Sequence, residues 1–151
     1  MEEPEVEAPN DLKGLVEQYH QAADHFSRGN AELVKALFSH RDDVTLANPF
    51  GPSVRGWRQV SEALDSASSR FRDGKVTSFE SIAQYLAPEL ACILEVERWH
   101  AKVGGRDEMA TFDLRVTSTF RREDDTWKLV HRHADPISTA DPDGPLRRSH
   151  S

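Results

Sequence analysis

The sequence has little of what disulfide-stabilised, membrane-spanning or nucleic-acid-binding proteins need. Its single cysteine, Cys92, excludes an internal disulfide and a cysteine-rich metal cluster. Positive charge is scarce: 19 Lys and Arg against 26 Asp and Glu give a net charge of -7, which repels phosphate backbones and anionic lipids. No apolar run is long enough to span a bilayer, and the acidic start lacks the features of a signal peptide. We therefore expect a cytoplasmic protein with neither nucleic acid nor membrane as a partner.

What the sequence does contain is enough apolar residues for one domain. Hydrophobic residues make up 37% of the 151 positions, the mixture expected of a single domain with a proper core. Residues 1–9 are acidic and contain prolines, and residues 138–151 are mostly Asp, Pro, Gly, Arg and Ser. We expect both ends to be disordered tails around one domain at 10–137.

The first half of the chain predicts helices, because its apolar residues recur at steps of three and four. Asn10 is a possible N-cap, and Asn30 is expected to cap a second helix just after Gly29 ends the first. The predicted elements are a helix from Asn10 to Gly29, a shorter helix from Asn30 to Phe38, a strand from Val44 to Ala47, a Pro- and Gly-containing turn at Asn48 to Pro52, and a helix from Trp57 to Phe71.

The second half predicts four long strands. From Ala110 to Phe120 apolar and polar residues alternate, which is typical of a strand with one buried face. Gly104–Gly105 and Asp124–Asp125 are the expected hairpin turns. Helices followed by an antiparallel meander indicate an α+β fold with the helices on one face of the sheet. The predicted strands are Val76 to Leu86, Leu90 to Val103, Met109 to Arg122, and Trp127 to Ile137.

Three stretches together carry a family resemblance: Leu15–Tyr19, Val34–Gly56 and Phe120–Asp135. Their ordered combination resembles the SnoaL-like branch of the nuclear transport factor 2 and ketosteroid isomerase superfamily. The last stretch is also similar to the final strand of the calcium/calmodulin-dependent kinase association domain. The resemblance implies a cone-shaped, curved antiparallel sheet wrapped around helices, also described as cystatin-like, with an apolar pocket and usually a homodimer. It implies neither cofactor nor metal.

The resemblance does not bring a reaction with it, because relatives on this fold differ in function. Tyr19 matches the tyrosine that ketosteroid isomerases carry on the first helix. Their carboxylate base falls at Asn48, and an amide cannot accept a proton at neutral pH. Their second, proton-donating carboxylate falls near Val116 or Thr117. Tyr19 and Asn48 are therefore expected to hold an oxygen of the ligand, with the base elsewhere.

Strand faces suggest where that base lies. Two-residue turns would place His131, His133 and Asp135 on the same face as Phe120, and would add Glu95 and Glu97 to it. In an apolar pocket the pKa of a carboxyl group rises and that of a histidine falls, which suits proton transfer. The candidate catalytic residues are Glu97, His131 and His133, and the candidate ligand-binding residues are Tyr19, Asn48, Trp57, Trp99, Arg132 and Asp135.

Two alternatives stay open at this point. A one-residue change in either turn reverses the faces and would turn Val130, Arg132 and Ala134, or Leu94, Val96 and Arg98, inward. Independently of the turns, His131 and His133 could support the sheet or a dimer interface instead of lining a pocket. In the other register, Glu95 and Glu97 could be a solvated face.

The sequence thus predicts a protein that binds a small, mostly apolar, oxygenated molecule. It would act as a cofactor-free isomerase, cyclase or dehydratase. The alternative is a non-catalytic module for ligand binding or assembly.

Overall fold

The computed structural model describes residues 7–137. Of the predicted tails, only residues 7–9 are among them, and they precede the first helix without regular structure; residues 1–6 and 138–151 lie outside the described range. The elements in that range are α1 (Asn10–Ser27), α2 (Glu32–Leu37), β1 (Thr45–Ala47), β2 (Val54–Arg55), α3 (Trp57–Ser68), β3 (Phe71–Leu86), β4 (Leu90–Val103), β5 (Met109–Glu123) and β6 (Thr126–Pro136).

All six strands form one sheet in the order β2-β1-β6-β5-β4-β3. The predicted α+β class is confirmed, and strands β3 to β6 form the predicted antiparallel meander. The sheet as a whole is mixed, because β1 runs parallel to β6. The reason is that no hairpin joins β1 to β6, and only a short hairpin forces neighbouring strands to run in opposite directions.

The end of α1 packs closely on β3. A Cβ at Gly74 would lie 2.5 Å from the Ser27 carbonyl oxygen, so only glycine fits here. The Asp24 carboxylate accepts a hydrogen bond of 2.7 Å from the Val76 backbone N–H. Through these contacts α1 forms one wall of the space above the sheet. The helix α3 ends at Ser68 and Phe71 already belongs to β3, although the apolar spacing predicts a longer helix.

Helix capping follows the predicted residues only in part. The Asn30 side chain accepts a hydrogen bond from the Glu32 N–H at 2.9 Å, but the N-cap residue of α2 is Ala31, so Asn30 lies one position before the predicted cap. Asn10 is instead the first residue of α1, whose first turn is closed by a bond from the Lys13 N–H to the Pro9 carbonyl.

Two hydrophobic clusters lie between the helices and the inner face of the sheet. The larger one contains Tyr19, Phe38, Phe120 and Leu129, and the smaller one is built on Phe71 and Trp99. Burial of such side chains gives most of the stability of a small domain. The smaller cluster is the one that forms the walls of the candidate site.

The β4–β5 hairpin has the predicted faces but not the predicted register. Glu97 lies opposite Leu114, whereas a two-residue turn at Gly104–Gly105 predicts Phe112. The loop is longer than two residues, and its register differs by two positions. A shift of two leaves every side chain on the same face, so Glu95, Glu97 and Trp99 do point inward.

The β5–β6 hairpin has the predicted turn but not the predicted faces. Asp124 and Asp125 have φ of 50° and 65°, which fits a two-residue turn with both central residues left-handed. Phe120 pairs with Leu129 as expected, but Thr119 then pairs with His131. Val130 is thus an extra residue, a β-bulge that reverses the alternation beyond it.

Because of the bulge, the predicted orientation of three candidate residues is wrong. Arg132 and Ala134 point inward, while His131, His133 and Asp135 lie on the outer face. Long-range contacts account for its position: the Ser39 N–H donates to the Leu129 carbonyl oxygen at 2.8 Å, and β1 begins to pair with β6 at His131.

Candidate functional site

A cavity of about 220 Å³ lies between the inner face of the sheet, the helices α1 and α3, and the loop that joins β1 to β2. Its walls are largely apolar, and five of the fifteen described lining residues are aromatic. The rings of Phe71 and Trp99 are 5.1 Å apart between centroids, and Trp99 lies 5.8 Å from Phe112. Phe26 meets Trp99 edge-on at 6.3 Å. Such walls offer an apolar ligand a large contact area.

Two of the described lining residues have polar side chains, Asn48 and Arg132. Asn48 belongs to the β1–β2 loop, where its side-chain oxygen Oδ1 accepts a hydrogen bond of 2.9 Å from the Phe50 backbone N–H. Its amide N–H groups are therefore the part of the side chain that a ligand could use. Arg132 reaches the cavity from β6, because the bulge turns it inward.

Arg132 is held by a carboxylate with no exposed surface. Its Nη1 and Nη2 atoms each lie 3.0 Å from an oxygen of Glu97, and the Glu97 side chain is 0% exposed against 14% for that of Arg132. Trp99 donates its indole N–H to Glu97 as well, at 3.0 Å. Bidentate pairing of this kind fixes a guanidinium in both position and plane.

Glu97 is ionised in this arrangement, contrary to the expectation for a carboxyl group in an apolar pocket. Burial alone would raise its pKa, but the Arg132 charge and the hydrogen bonds from Arg132 and Trp99 hold the pKa of Glu97 below its usual value. Both of its oxygens accept hydrogen bonds. A carboxylate so occupied is a poor proton acceptor.

Tyr19 extends this network from α1. Its hydroxyl oxygen accepts a hydrogen bond from Arg132 Nη1 and lies 2.8 Å from the Ser118 hydroxyl. Burial raises the pKa of Tyr19, so the phenol stays neutral. A void of about 20 Å³ touches both Tyr19 and Arg132, which is room for about one water molecule.

Arg132 keeps donors for a ligand. A guanidinium carries five N–H groups, and the hydrogen bonds to Tyr19 and Glu97 use three of them. Within residues 7–137 the Nε–H and one Nη2–H make no hydrogen bond. The side chain can therefore donate to an oxygen atom in the cavity without breaking its existing pairs.

A second, partly buried pair lies on the same face of β4, away from the cavity lining. His20 Nε2 lies 2.8 Å from a carboxylate oxygen of Glu95, and the His20 ring stacks on Phe79 at 3.8 Å. The other oxygen of Glu95 is buried, with no hydrogen-bond partner among the described residues. Strand alternation predicted that Glu95 points inward, but nothing in the sequence indicated His20 as its partner.

The candidate histidines lie outside the cavity. The His131 ring bonds to the Thr45 hydroxyl at 2.8 Å, and His133 lies 2.7 Å from Asp135 with about half of each of these two side chains exposed. Burial, together with the neighbouring His133, lowers the pKa of His131. The predicted roles were proton transfer for the histidines and ligand contact for Asp135. Both roles required side chains inside the cavity, and these three lie on the other face of the sheet.

The remaining candidates divide between the cavity and its surroundings. Trp99 and Asn48 line the cavity, and Tyr19 accepts a hydrogen bond from the lining residue Arg132. Trp57 does not line it: this side chain starts α3 and stacks on His40 at 3.9 Å. Ser118 was missed, although a serine within the apolar alternation of β5 was the available signal.

In the described part of the chain, His, Cys, Asp and Glu form no group of three that could hold a metal ion. No helix between residues 7 and 137 is long and apolar enough to cross a membrane.

The sequence profile of the SnoaL-like domain matches residues 13–138. The chain belongs to the SnoaL-like domain family. The predicted resemblance is thereby confirmed, over nearly the whole of the predicted domain. No curated protein sequence matches the chain.

Solved structures place this SnoaL-like chain on the expected fold. A nuclear transport factor 2-like superfamily protein from Salmonella enterica serovar Typhimurium matches with a TM-score of 0.72 at 15% identity, covering 89% of this chain and 94% of that one. A ketosteroid isomerase-like protein from Erwinia carotovora atroseptica matches with 0.70 at 15%, covering 87% and 100%. A domain of unknown function with a cystatin-like fold from Nostoc punctiforme matches with 0.66 at 18%, covering 88% and 81%. At these identities the likeness concerns the fold alone.

Proposed function

We propose that this SnoaL-like protein binds a small, mostly apolar molecule through one oxygen atom. The observation that carries the proposal is the cavity itself: Arg132 is one of its lining residues, and two of the Arg132 N–H groups have no hydrogen-bond partner among the described residues. A donor fixed in an apolar surrounding orients a ligand, while the walls supply the contact area. The amide of Asn48 is a second donor within the same lining.

The size of the cavity limits the ligand. Sites for drug-sized molecules have volumes of about 300 to 1,000 Å³, and this cavity has about 220 Å³. We therefore expect a compact ligand such as a single substituted ring. A cavity that stays open also favours a ligand-binding protein over an assembly module whose interior is filled by side chains.

A second candidate function is a cofactor-free isomerase, cyclase or dehydratase. It is favoured by Arg132, because a buried, rigidly held donor can stabilise negative charge that develops on a substrate oxygen. Against it, the described lining residues include neither carboxylate nor imidazole, and Glu97 is bound on both oxygens. Binding is therefore the leading proposal, and any catalysis would start from Arg132.

Two further parts of the proposal come from the sequence. The family resemblance implies a homodimer, and the composition favours a cytoplasmic location. Light scattering of the purified protein measures the first, and a monomer would contradict it.

The direct test is to identify what the protein carries. Native mass spectrometry of protein purified under mild conditions is expected to show a bound molecule of low mass, which denaturation releases for identification. Replacing Arg132 by Met should abolish its retention, whereas His133→Ala on the outer face should not. A protein that co-purifies with nothing and gives no ligand-observed NMR signal with small aromatic ketones and amides would contradict the proposal.

A further inference from the structure

The cavity contains a cation whose charge is already neutralised. Arg132 is the charged side chain among the described lining residues, and the Glu97 carboxylate pairs with it at 3.0 Å through both oxygens. The Arg70 guanidinium lies over the ring of Phe50, a lining residue, at 4.8 Å, but Arg70 itself does not line the cavity. A ligand inside the cavity therefore meets N–H donors without a net positive charge.

We infer that the cavity selects neutral oxygen-bearing ligands and rejects carboxylates, and that Glu97 is the residue that sets this selectivity. The inference rests on the proposed function, since it concerns which oxygen group Arg132 receives. It assigns Glu97 a role in discrimination that does not require proton transfer.

The physical reason is the balance between desolvation and attraction. A carboxylate loses far more hydration than an amide or ketone when it enters an apolar cavity. A free guanidinium would compensate that loss, but this one is already shared with Glu97. A second carboxylate would also be repelled by the first across the same guanidinium, at the low effective dielectric of a buried site. A neutral carbonyl oxygen loses little hydration energy on entering the cavity, and it gains hydrogen bonds from one or two N–H donors.

Benzamide and benzoate are suitable probes because they have the same shape and differ in charge. For the wild-type protein at pH 7, we expect benzamide to bind at least about tenfold more tightly, a difference of about 1.4 kcal/mol. Calorimetry or ligand-observed NMR measures both affinities. Equal or tighter binding of benzoate would overturn the inference and leave the proposed function standing. Failure of both probes to bind would count against the proposed function itself.

The variant Glu97→Gln tests the assigned residue. It keeps a side chain of the same shape but leaves the Arg132 charge uncompensated, so the preference should reverse in favour of benzoate. Glu95→Gln is the matched control, because Glu95 is a buried carboxylate two positions earlier on the same face of β4 and pairs with His20. The control should keep the preference for benzamide, and a reversal there would show that Glu97 is not the determinant.

A measurement on the wild-type protein covers the case in which Glu97→Gln does not fold. If only the neutral acid enters the cavity, the apparent affinity for benzoic acid should fall about tenfold for each pH unit above the pKa of the free acid. Titrations between pH 5 and pH 7 would then show a steep decline for benzoic acid and a flat line for benzamide. A flat line for both would overturn the inference without any variant.

Discussion

Strand β6 carries ionisable side chains on both of its faces, and the two sets have very different surroundings. Arg132, on the inner face, is 14% exposed and bonds to a fully buried carboxylate and a buried phenol. His133 and Asp135, on the outer face, form a pair of similar length, 2.7 Å, but their side chains are 49% and 44% exposed.

The difference between these faces lies in what happens when a partner is lost. An exposed ion pair contributes about 0 to 1 kcal/mol, because water replaces either partner readily. A buried pair leaves an uncompensated charge if one member is removed, which costs about 3 to 5 kcal/mol. Histidine is the residue usually suspected of function, yet on this strand the arginine is the group in the cavity.

The strongest test of this comparison is Arg132→Met. The substitution keeps an apolar stem but leaves Glu97 buried without its cation, so the free energy of unfolding should fall by about 3 to 5 kcal/mol. His133→Ala, on the opposite face, should change it by no more than about 0.5 kcal/mol. Urea denaturation measures both. Equal losses for the two variants would contradict the contrast between the faces.

The double variant Glu97→Leu with Arg132→Met sharpens the same comparison. Replacing both members of a buried pair by apolar residues removes the uncompensated charge, and such replacements are often neutral or stabilising. We expect the double variant to be more stable than either single variant by about 3 to 5 kcal/mol. A double-mutant cycle gives the value, and simple additivity would show that the two side chains do not depend on each other.

Local sequence signals predicted most of the elements of this fold. The spacing of apolar residues located α1, and the residues Asp124 and Asp125 located a tight turn, because both signals depend only on neighbours in the chain. Even the misplaced β4–β5 register kept Glu97 inward, since a shift by two positions preserves the face.

The candidate site needed information that lies far away in the chain. The face of β6 depends on one bulged residue, Val130, which lies where the Ser39 N–H bonds to Leu129 and where β1 joins the sheet. The local signal was weak: Leu129 and Val130 are consecutive apolar residues, both buried, which breaks the alternation. The sequence therefore identified Arg132 and Glu97 as candidate residues. It did not predict their contact, because that contact depends on the bulge.

Tyr19→Phe should have a smaller effect than the loss of either charge. It removes a hydroxyl that accepts from Arg132 and contacts Ser118, so two buried polar groups lose a partner. The expected loss is about 1 to 3 kcal/mol. Thr45→Val is the comparison on the outer face, where the half-buried His131 can turn to water instead. We expect it to cost less, and urea denaturation of both variants decides the order.

The smallest expected effect is the pH dependence contributed by His131. Its pKa is lowered in the folded protein by burial and by His133, so the unfolded chain binds the proton more readily. Stability should therefore decrease as the pH falls below about 6.5, the value for an unfolded histidine, and should not depend on this group above it. Glu97, whose pKa is lowered, acts in a separate window: its contribution is complete above about pH 4.3 and is lost as the pH falls through its folded pKa. His131→Gln should remove the pH dependence of the free energy of unfolding just below pH 6.5. It should leave the decrease of that free energy below about pH 4.3, which Glu97 contributes, unchanged. If the substitution instead altered the pH dependence below about pH 4.3, the two faces of β6 would be coupled. That result would contradict the separation between a structural outer face and a ligand-binding inner face.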